Sequence, residues 1–574
     1  MKKLFTVLLA AAMAFAGLSL TACGPKTDKT KSQLSIYNYD GGVGTQWLYD
    51  AAKKFEEKYA DKEFEPGSGK KGVQIHVGKG KETQSLGLAT STYNILFLED
   101  VAYNDLISQN LLLDINDIVA EKTLAGVTDG ADKDKKIAEK ILPEVSAALT
   151  ALKGRHFVLP HYSYSAGLTY DATIFAREEL YIKADTDGGA LRTGSAGNWT
   201  YQFTGNVAEA TVGPNGEAGD YDDGLPATYE EFDALLDRMI QRGVVPFIWS
   251  GQYPGYTNIL TGAAWAAYSG KEEMMLNFNF GSGAGAGKSM NIITGFTGTG
   301  YNAAPTVVSQ PITPANAYYT YQQEGKYYAL RMLKKVLSDS TWYSDKITGA
   351  LSHLGAQTEY IYSDLENKPI AMIIEGNYWY NEAEDAFKRS QAKYPEAPKD
   401  RDFRWMSLPV QADGRVSKGN GKKNTLLDLP SSFAFINGNV KDKPWLADLA
   451  KTFLQFCYSD ELLADFTCST GLLKGVEYEV PGERVQNMNK FYQSYYEVRK
   501  NSDNVYPYSN HPIYVNGQSS FLVRLFYWKS EVNGTPYQQP YTPFRGSVSA
   551  ADYFQGMWMS GSDWTGDYGA WIGA

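Results

Sequence analysis

The sequence predicts an α/β fold that is divided into more than one domain. The chain has 574 residues, well beyond the roughly 300 at which single hydrophobic cores stop growing. Short apolar stretches at 34–37, 73–77 and 95–98 alternate with stretches in which apolar residues recur every three or four positions. This alternation is typical of βαβ units, so we expect mostly parallel sheets with helices on both faces.

The first of these units consists of a strand at 34–37, a glycine-rich loop at 40–44 and a helix. Six apolar residues at helical spacing predict the helix and its buried face, namely Trp47, Leu48, Ala51, Ala52, Phe55 and Tyr59. Ligands bind to the loops that follow strand ends in such sheets. The glycine-rich loop is therefore a candidate ligand-binding segment.

The second half of the chain repeats the pattern around two long insertions. Residues 181–225 and 277–316 are rich in Gly, Asp, Asn and Thr and show little periodicity, so we interpret them as surface insertions. Apolar strands at 244–249 and 370–374 each run into a loop that is rich in aromatic and amide side chains. These two loops are further candidate ligand-binding segments.

Acidic residues lie at the end of the first insertion. The run 220–223 together with Glu231 resembles an EF-hand calcium loop, but the invariant glycine of that loop is sixth in order and Gly224 is fifth. Thr228 and Glu231 instead form a capping box, which predicts the start of a helix. The five histidines also lack the spacing of metal ligands, and we predict neither a metal site nor a cofactor.

Composition excludes some partners and favours one class of ligand. Lys and Arg number 54 against 65 Asp and Glu, a net charge of −11. This balance argues against a face that binds nucleic acid or an anionic membrane, because such a face needs excess positive charge. The 41 tyrosines and 12 tryptophans each offer an apolar face with a polar edge, which suits a sugar.

The first 23 residues have the pattern of an exported lipoprotein. Two lysines at 2–3 precede an apolar stretch at 4–20, and small residues then lead to Cys23. We predict a signal peptide at 1–22, a flexible tether at 23–32 and no later membrane-spanning segment. The order Leu-Thr-Ala-Cys resembles the bacterial lipobox, which implies that Cys23 is acylated and holds the protein at the outer face of the cell membrane.

Two further cysteines, Cys457 and Cys468, lie in a predicted helical region. On one unbroken helix they would be about 16 Å apart, too far for a disulfide. A helix break predicted at 459–460 leaves a bridge between them open.

The order of these segments resembles that of family 1 extracellular solute-binding lipoproteins of ABC importers. The likeness covers most of 33–480, from the unit at 34–59 through a crossover at 159–171 and the segment 371–379 to a helix pair at 444–471. It implies two α/β lobes joined by crossing strands. The ligand would bind in a cleft at the hinge, and the lobes would close on it.

The resemblance also divides the chain between the lobes. It implies an N-terminal lobe of 33–160 and 410–472, and a C-terminal lobe of 161–409 and 473–574 with the two insertions. A second crossover is implied at 403–409. This is the type II arrangement of periplasmic binding proteins, in which each lobe is a sheet flanked by helices.

A sugar site needs aromatic faces beside carboxylate or amide groups, and we expect both at strand ends that face the cleft. The predicted ligand-binding residues are Asp40 and Glu99 in the first lobe, and Tyr162, Tyr164, Trp249, Gln252, Tyr253, Tyr256, Asn258, Glu375, Asn377, Tyr378 and Trp379 in the second. The resemblance matches 252–254, Tyr164 and Tyr378 with positions that contact sugar in maltodextrin-binding relatives.

We therefore predict a monomeric binding protein, not an enzyme, that delivers an oligosaccharide to the permease subunits of an ABC importer. One alternative is a membrane-anchored glycan-degrading enzyme, which would need two carboxylates about 5–9.5 Å apart across a cleft. Another is a binding protein for peptides or another solute, which would have a longer apolar or charged pocket in place of stacked rings.

Overall fold

A computed structural model describes most of the chain. The described residues are 27–80, 87–99, 101–195, 198–300, 303–366, 368–398, 401–412, 424–429, 432–526 and 528–573. The predicted signal peptide, Cys23 and the first part of the tether lie outside them. Within the described ranges, no helix combines the length and the apolar character that crossing a bilayer requires.

The described residues form nineteen strands. In chain order they are β1 (Ser32–Tyr39), β2 (Val73–Gly80), β3 (Ile95–Glu99), β4 (Val158–Pro160), β5 (Tyr164–Asp171), β6 (Tyr181–Ile182), β7 (Arg192–Ser195), β8 (Asn198–Tyr201), β9 (Phe203–Thr204), β10 (Val245–Ile248), β11 (Ser289–Thr297), β12 (Ala304–Pro311), β13 (Ile370–Gly376), β14 (Phe403–Met406), β15 (Thr425–Leu429), β16 (Ser432–Ile436), β17 (Asp503–Val505), β18 (Ser530–Val532) and β19 (Thr535–Tyr537).

The same residues form eighteen α-helices. They are α1 (Gln46–Lys58), α2 (Tyr103–Ser108), α3 (Pro143–Thr150), α4 (Ala172–Arg177), α5 (Tyr229–Gln241), α6 (Tyr256–Asn279), α7 (Glu324–Ser338), α8 (His353–Tyr362), α9 (Trp379–Glu382), α10 (Glu384–Lys393), α11 (Pro444–Phe456), α12 (Asp460–Thr470), α13 (Gly482–Val485), α14 (Lys490–Asn501), α15 (Pro512–Phe526), α16 (Tyr541–Phe544), α17 (Ala550–Gln555) and α18 (Gly561–Tyr568).

Two large sheets define a first and a second lobe. The first sheet has the strand order β2-β1-β3-β16-β4, and the second has the order β10-β13-β5-β15-β17, with β14 also paired to β5. Four of the five strands in the first sheet and five of the six in the second run in the same direction, so the prediction of mostly parallel sheets is confirmed. The exceptions are β16 and β5, which each enter their sheet from the other lobe and run antiparallel to their neighbours.

The chain returns to the first lobe later than the resemblance implies. Strand β14 at 403–406 and strand β15 at 425–429 both pair with β5 in the second sheet. Strand β16, which begins at Ser432, pairs with β3 in the first sheet. The crossover therefore lies between Leu429 and Ser432, not at 403–409, and the expected boundary at 410 is corrected accordingly.

The insertions contain more order than their composition predicts. Within 181–225, β6 pairs with β9 and β7 with β8, and Ile182, Ala190 and Tyr201 form a small separate core. Within 277–316, β11 and β12 form a hairpin. The predicted capping box is confirmed, because Thr228 accepts from the Glu231 amide and Glu231 accepts from the Thr228 amide.

A buried lysine lies in the core of the first lobe. Lys474 Nζ is 2.7 Å from His161 Nδ1 and lies over the rings of Phe466 and Trp47, 4.4 and 4.7 Å from their centroids. Trp47 itself packs at right angles on Phe97, as the helical pattern of α1 predicts. Burial lowers the pKa of Lys474 from 10.5 to about 7, because charge is costly in an apolar core.

Stability of the first lobe is expected to rise with pH because of Lys474. Between about pH 7 and 10.5 the unfolded lysine binds a proton that the folded lysine does not, so folding is favoured as pH rises through this window. Raising the pH from 7 to 9 should add about 2 kcal/mol to the free energy of unfolding. Urea unfolding of the parent and of Lys474→Met at both pH values tests this. Equal pH dependence in the two proteins would contradict it.

The remaining cysteines are both free thiols, with Cys457 buried and Cys468 half-buried. Cys457 directly follows α11 and Cys468 lies in α12, so the predicted helix break is present. The bridge that the sequence leaves open is not formed.

Candidate functional site

Four tyrosines gather at one edge of the second sheet, and we call them the tyrosine cluster: Tyr164, Tyr253, Tyr256 and Tyr378. The rings of Tyr164 and Tyr378 meet edge to face with centroids 5.7 Å apart. The rings of Tyr253 and Tyr256 stack with centroids 6.4 Å apart. Tyr253 is the outermost member, with 48% of its surface exposed, and the other three are half-buried.

Glycines at strand ends bring the Tyr378 ring into place. A Cβ at Gly376, the last residue of β13, would lie 2.3 Å from the Tyr378 ring. A Cβ at Gly42, in the glycine-rich loop of the first lobe, would lie 2.8 Å from Tyr378 Cβ. Any larger residue at either position would push the ring away. The tyrosine is thus held between the two lobes.

The first lobe contributes its glycine-rich loop to the same place. Asn381 Nδ2 of the second lobe donates to the carbonyl of Gly42 at 2.7 Å. Asp40 lies at the start of this loop, accepts from Thr45 Oγ1 and pairs with Lys79 at 3.1 Å. Glu99, at the end of β3, is half-buried. Both predicted first-lobe residues therefore lie at strand ends of the first sheet.

Two carboxylates lie beside the tyrosines, and we call them the glutamate pair: Glu375 and Glu382. Gln357 Nε2 donates to both, at 3.3 Å to Glu375 Oε1 and 2.8 Å to Glu382 Oε2. His353 Nε2 is 3.4 Å from Glu382 Oε1. The pair is thus linked through helix α8, which carries Gln357 and His353.

Burial sets the electrostatics of this site. Desolvation, followed by the charge of Glu382, raises the pKa of Glu375 well above its usual range. Desolvation, followed by the charge of Glu375, also raises the pKa of Tyr378. The Tyr378 phenol therefore stays neutral and can donate a hydrogen bond, while the carboxyl groups offer acceptors. This is the mixture of groups that hydroxyl-rich ligands need.

Several predicted ligand-binding residues lie in the core instead. Trp379 is fully buried, and its Nε1 donates to Thr169 Oγ1 at 2.9 Å. Trp249 is fully buried against Tyr343, and Tyr162 is buried beside the His161 ring. The predicted set is corrected by removing these three rings, because none of them has a face that a ligand can reach.

Three predicted amides have structural contacts. Asn377 joins β13 to β5, because its Oδ1 accepts from the Ser165 amide at 3.0 Å. Asn258 is fully buried in α6, and its Nδ2 donates to Gln539 at 3.3 Å. Gln252 has an exposed side chain near Tyr253, and its backbone amide donates to Leu351. We also remove Asn377 and Asn258 from the predicted set of ligand-binding residues, because both side chains are fully buried and a ligand cannot reach them.

The sequence patterns miss Gln357, His353, Glu382 and Asn381. The last two follow Tyr378 within four residues, so the aromatic loop extends further than predicted. Gln357 and His353 belong to α8, and no periodicity or motif in that helix points to a ligand. Only the packing of α8 against β13 brings them to the glutamate pair.

No family model matches the sequence, and no curated protein matches it. Solved structures do match it over nearly the whole chain. It is similar to a probable secreted solute-binding lipoprotein from Streptomyces coelicolor, with a TM-score of 0.50 and 11% identity over 92% of this chain and 98% of that chain. The chain has a two-lobed solute-binding fold.

Two further structures resemble it somewhat less. A chitin oligosaccharide binding protein has a TM-score of 0.49 and 13% identity, over 93% of this chain and 99% of that one. Maltose-bound MalE3 of T. maritima has a TM-score of 0.48 and 12% identity, also over 93% and 99%. The likeness to the Streptomyces coelicolor structure concerns the fold, and at that level the predicted resemblance is confirmed.

The two lobes of this chain also face each other at a groove away from the tyrosine cluster. A groove of about 1060 Å³ separates α3 of the first lobe from the second lobe, and Lys271 approaches Glu144 across it at 3.7 Å. Its one tyrosine, Tyr508, is buried, so the groove offers no exposed ring. The tyrosine cluster with the glutamate pair is therefore the better candidate site.

Proposed function

We propose that this chain is the carbohydrate-binding component of an ABC importer, a binding protein and not an enzyme. The observation that carries the proposal is the tyrosine cluster beside the glutamate pair, at the point where the glycine-rich loop of the first lobe meets the second lobe. Such a site binds its ligand with groups from both halves of the molecule.

The chemistry of the site supports a sugar ligand. The C–H face of a pyranose is apolar and stacks on phenol rings, and Tyr253 and Tyr256 present stacked rings at the outer edge. Sugar hydroxyls donate to carboxylate oxygens, which the half-buried Glu382 and Asp40 supply. Of the predicted residues, we retain Asp40, Glu99, Tyr164, Gln252, Tyr253, Tyr256 and Tyr378 as ligand contacts in the proposed site. Glu375 is fully buried, so we give it a positioning role behind Gln357 and Glu382.

Lobe closure follows from the position of the ligand between the halves. A ligand that contacts both lobes does so fully only when they are closed, and it therefore shifts the equilibrium towards the closed state. Membrane permease subunits would recognise that state. The lipobox-like sequence before Cys23 supports attachment to the outer face of the cell membrane through lipid, with the protein acting as a monomer.

Isothermal titration of the full chain against a panel of neutral oligosaccharides tests the proposal, and we expect saturable one-to-one binding of at least one of them. Tyr253→Ala should weaken that binding about tenfold, because one stacked ring contributes up to about 1.5 kcal/mol. Tyr49→Ala is the matched control, since Tyr49 is similarly exposed (44% against 48% for Tyr253) but lies on α1. The sugar affinity of Tyr49→Ala should equal that of the parent.

Two results would overturn the proposal. Saturable binding of peptides with no response to any sugar would identify a peptide-binding protein. Shorter sugars in the titration cell, detected by chromatography, would identify a glycan-degrading enzyme.

A further inference from the structure

Three aspartates in the first insertion bring their carboxylates together, and we call them the aspartate cluster: Asp220, Asp222 and Asp223. A carboxylate oxygen of each lies within 4.8 Å of the other two. Arg404 packs over Tyr221 in the same loop but pairs with Asp402. Within the described ranges, no lysine or arginine forms an ion pair with the cluster.

The central member of the cluster is buried without a full set of partners. Asp222 is 1% exposed, and its Oδ2 accepts from Asn424 Nδ2 at 2.6 Å and from the Asn215 amide at 3.3 Å. Its Oδ1 is buried and has no hydrogen-bond partner among the residues that the structure describes, and the same is true of Asp223 Oδ1. Among the described residues, two carboxylate oxygens thus have neither a cationic side chain nor a hydrogen-bond donor beside them.

This arrangement is costly for the apo chain. An unpaired buried carboxylate loses its hydration, and adjacent carboxylates repel each other when both are ionised. Burial, followed by the charge of Asp220, raises the pKa of Asp222 well above its usual range. A bound cation would remove both costs, because it would pair with the free oxygens and offset the repulsion.

We propose that the aspartate cluster binds a divalent cation that prefers oxygen ligands, and that this cation is Ca²⁺. Calcium accepts six to eight oxygen ligands in irregular geometry, which suits carboxylates from neighbouring loop residues. Zinc sites use His or Cys ligands, and the cluster contains neither. Mg²⁺ requires near-ideal octahedral geometry and keeps several waters, so we expect it to bind more weakly.

The proposed site is not an EF-hand. Glu231, which an EF-hand register would use as the last ligand, has its Oε2 occupied by the backbone amides of Ala227 and Thr228 at 2.7 and 3.2 Å. The cluster is instead tied to the second sheet through Asn424, whose Nδ2 also donates to Ser407 Oγ at 3.0 Å. A cation would therefore fix the first insertion to the start of β15.

The test uses the full chain after removal of metal with EDTA and dialysis into metal-free buffer. Titration with CaCl₂ is expected to show one bound Ca²⁺ per chain. Thermal unfolding with excess CaCl₂ should show a rise in Tm of at least about 2 °C, and MgCl₂ at the same concentration should give a smaller rise. Oligosaccharide binding is measured separately, because the cluster shares no residue with the candidate sugar site.

Variants distinguish a bound cation from the alternative explanation, which is a proton shared between the carboxyl groups. Asp222→Asn and Asp223→Asn should each lower the Ca²⁺ affinity at least about tenfold. Asp187→Asn, an exposed aspartate of the same insertion, should leave it unchanged. If Asp222→Asn does not fold, Asp223→Asn still tests the proposal, because Asp223 is only half-buried and its replacement should leave the fold intact.

Three outcomes would overturn the inference. The first is no Ca²⁺ binding and no change in Tm for the parent chain. The second is Ca²⁺ affinity that survives both cluster variants. The third combines two results: the parent chain does not respond to Ca²⁺, and Asp222→Asn has a higher Tm than the parent in metal-free buffer. Together they would show that a shared proton neutralises the cluster.

Discussion

Replacing Arg499 with alanine is expected to lower the free energy of unfolding of the second lobe by about 3–5 kcal/mol. Arg499 Nη2 pairs with Asp428 Oδ2 at 2.9 Å, and the two side chains are only 12% and 0% exposed. The same guanidinium donates to the Tyr506 hydroxyl. Without Arg499, the Asp428 carboxylate in β15 remains buried with no cation beside it.

Urea unfolding followed by circular dichroism measures this loss. Adding Asp428→Asn to Arg499→Ala should recover part of the stability, because the unpaired charge is then removed. Arg155→Ala is the matched control, since Arg155 pairs with Asp114 on the surface and should cost less than about 1 kcal/mol. A loss below that value for Arg499→Ala as well would contradict the expected role of the buried pair.

Replacing Trp379 with alanine is expected to cost a similar amount, about 3–5 kcal/mol. The indole packs against the rings of Tyr360, Phe403 and Phe491, with centroids 5.4 to 5.8 Å apart. Removing it leaves a cavity at the point where α9 and α14 meet the second sheet. Thermal or urea unfolding of the variant measures the effect.

Trp379→Phe distinguishes a core role from a ligand contact. This variant keeps an aromatic ring and loses the hydrogen bond to Thr169, so it should cost about 1–2 kcal/mol. Its sugar affinity should equal that of the parent, because the ring does not reach the tyrosine cluster surface. Loss of sugar affinity with unchanged stability would instead return Trp379 to the binding site.

Local patterns in the sequence predict local structure well here. The helical stripe of α1 is buried from Trp47 to Phe55, because an amphipathic helix can bury only its apolar face. The capping box at the start of α5 is present with both hydrogen bonds. In each case the physical cause lies within a few residues along the chain.

Features that depend on distant packing were not predictable. The apolar pattern of β16 indicates a strand but not its direction, and the antiparallel pairing arises from its entry from the second lobe. Tyr378 and Trp379 are neighbours of similar chemistry, yet Tyr378 lies between the two lobes and Trp379 lies in the core. Gly376 and Gly42 make room for the Tyr378 ring, because a Cβ at either position would collide with Tyr378.

The late return of the chain to the first sheet has a consequence for biosynthesis. Ser432 donates to the Leu98 carbonyl across 334 residues of sequence, and β16 fills the gap between β3 and β4. A nascent chain therefore holds an incomplete sheet with open strand edges while the ribosome makes the second-sheet strands from β5 to β15. Open edges invite pairing with other chains, so chaperone protection during synthesis should matter more for this half of the molecule than for the other.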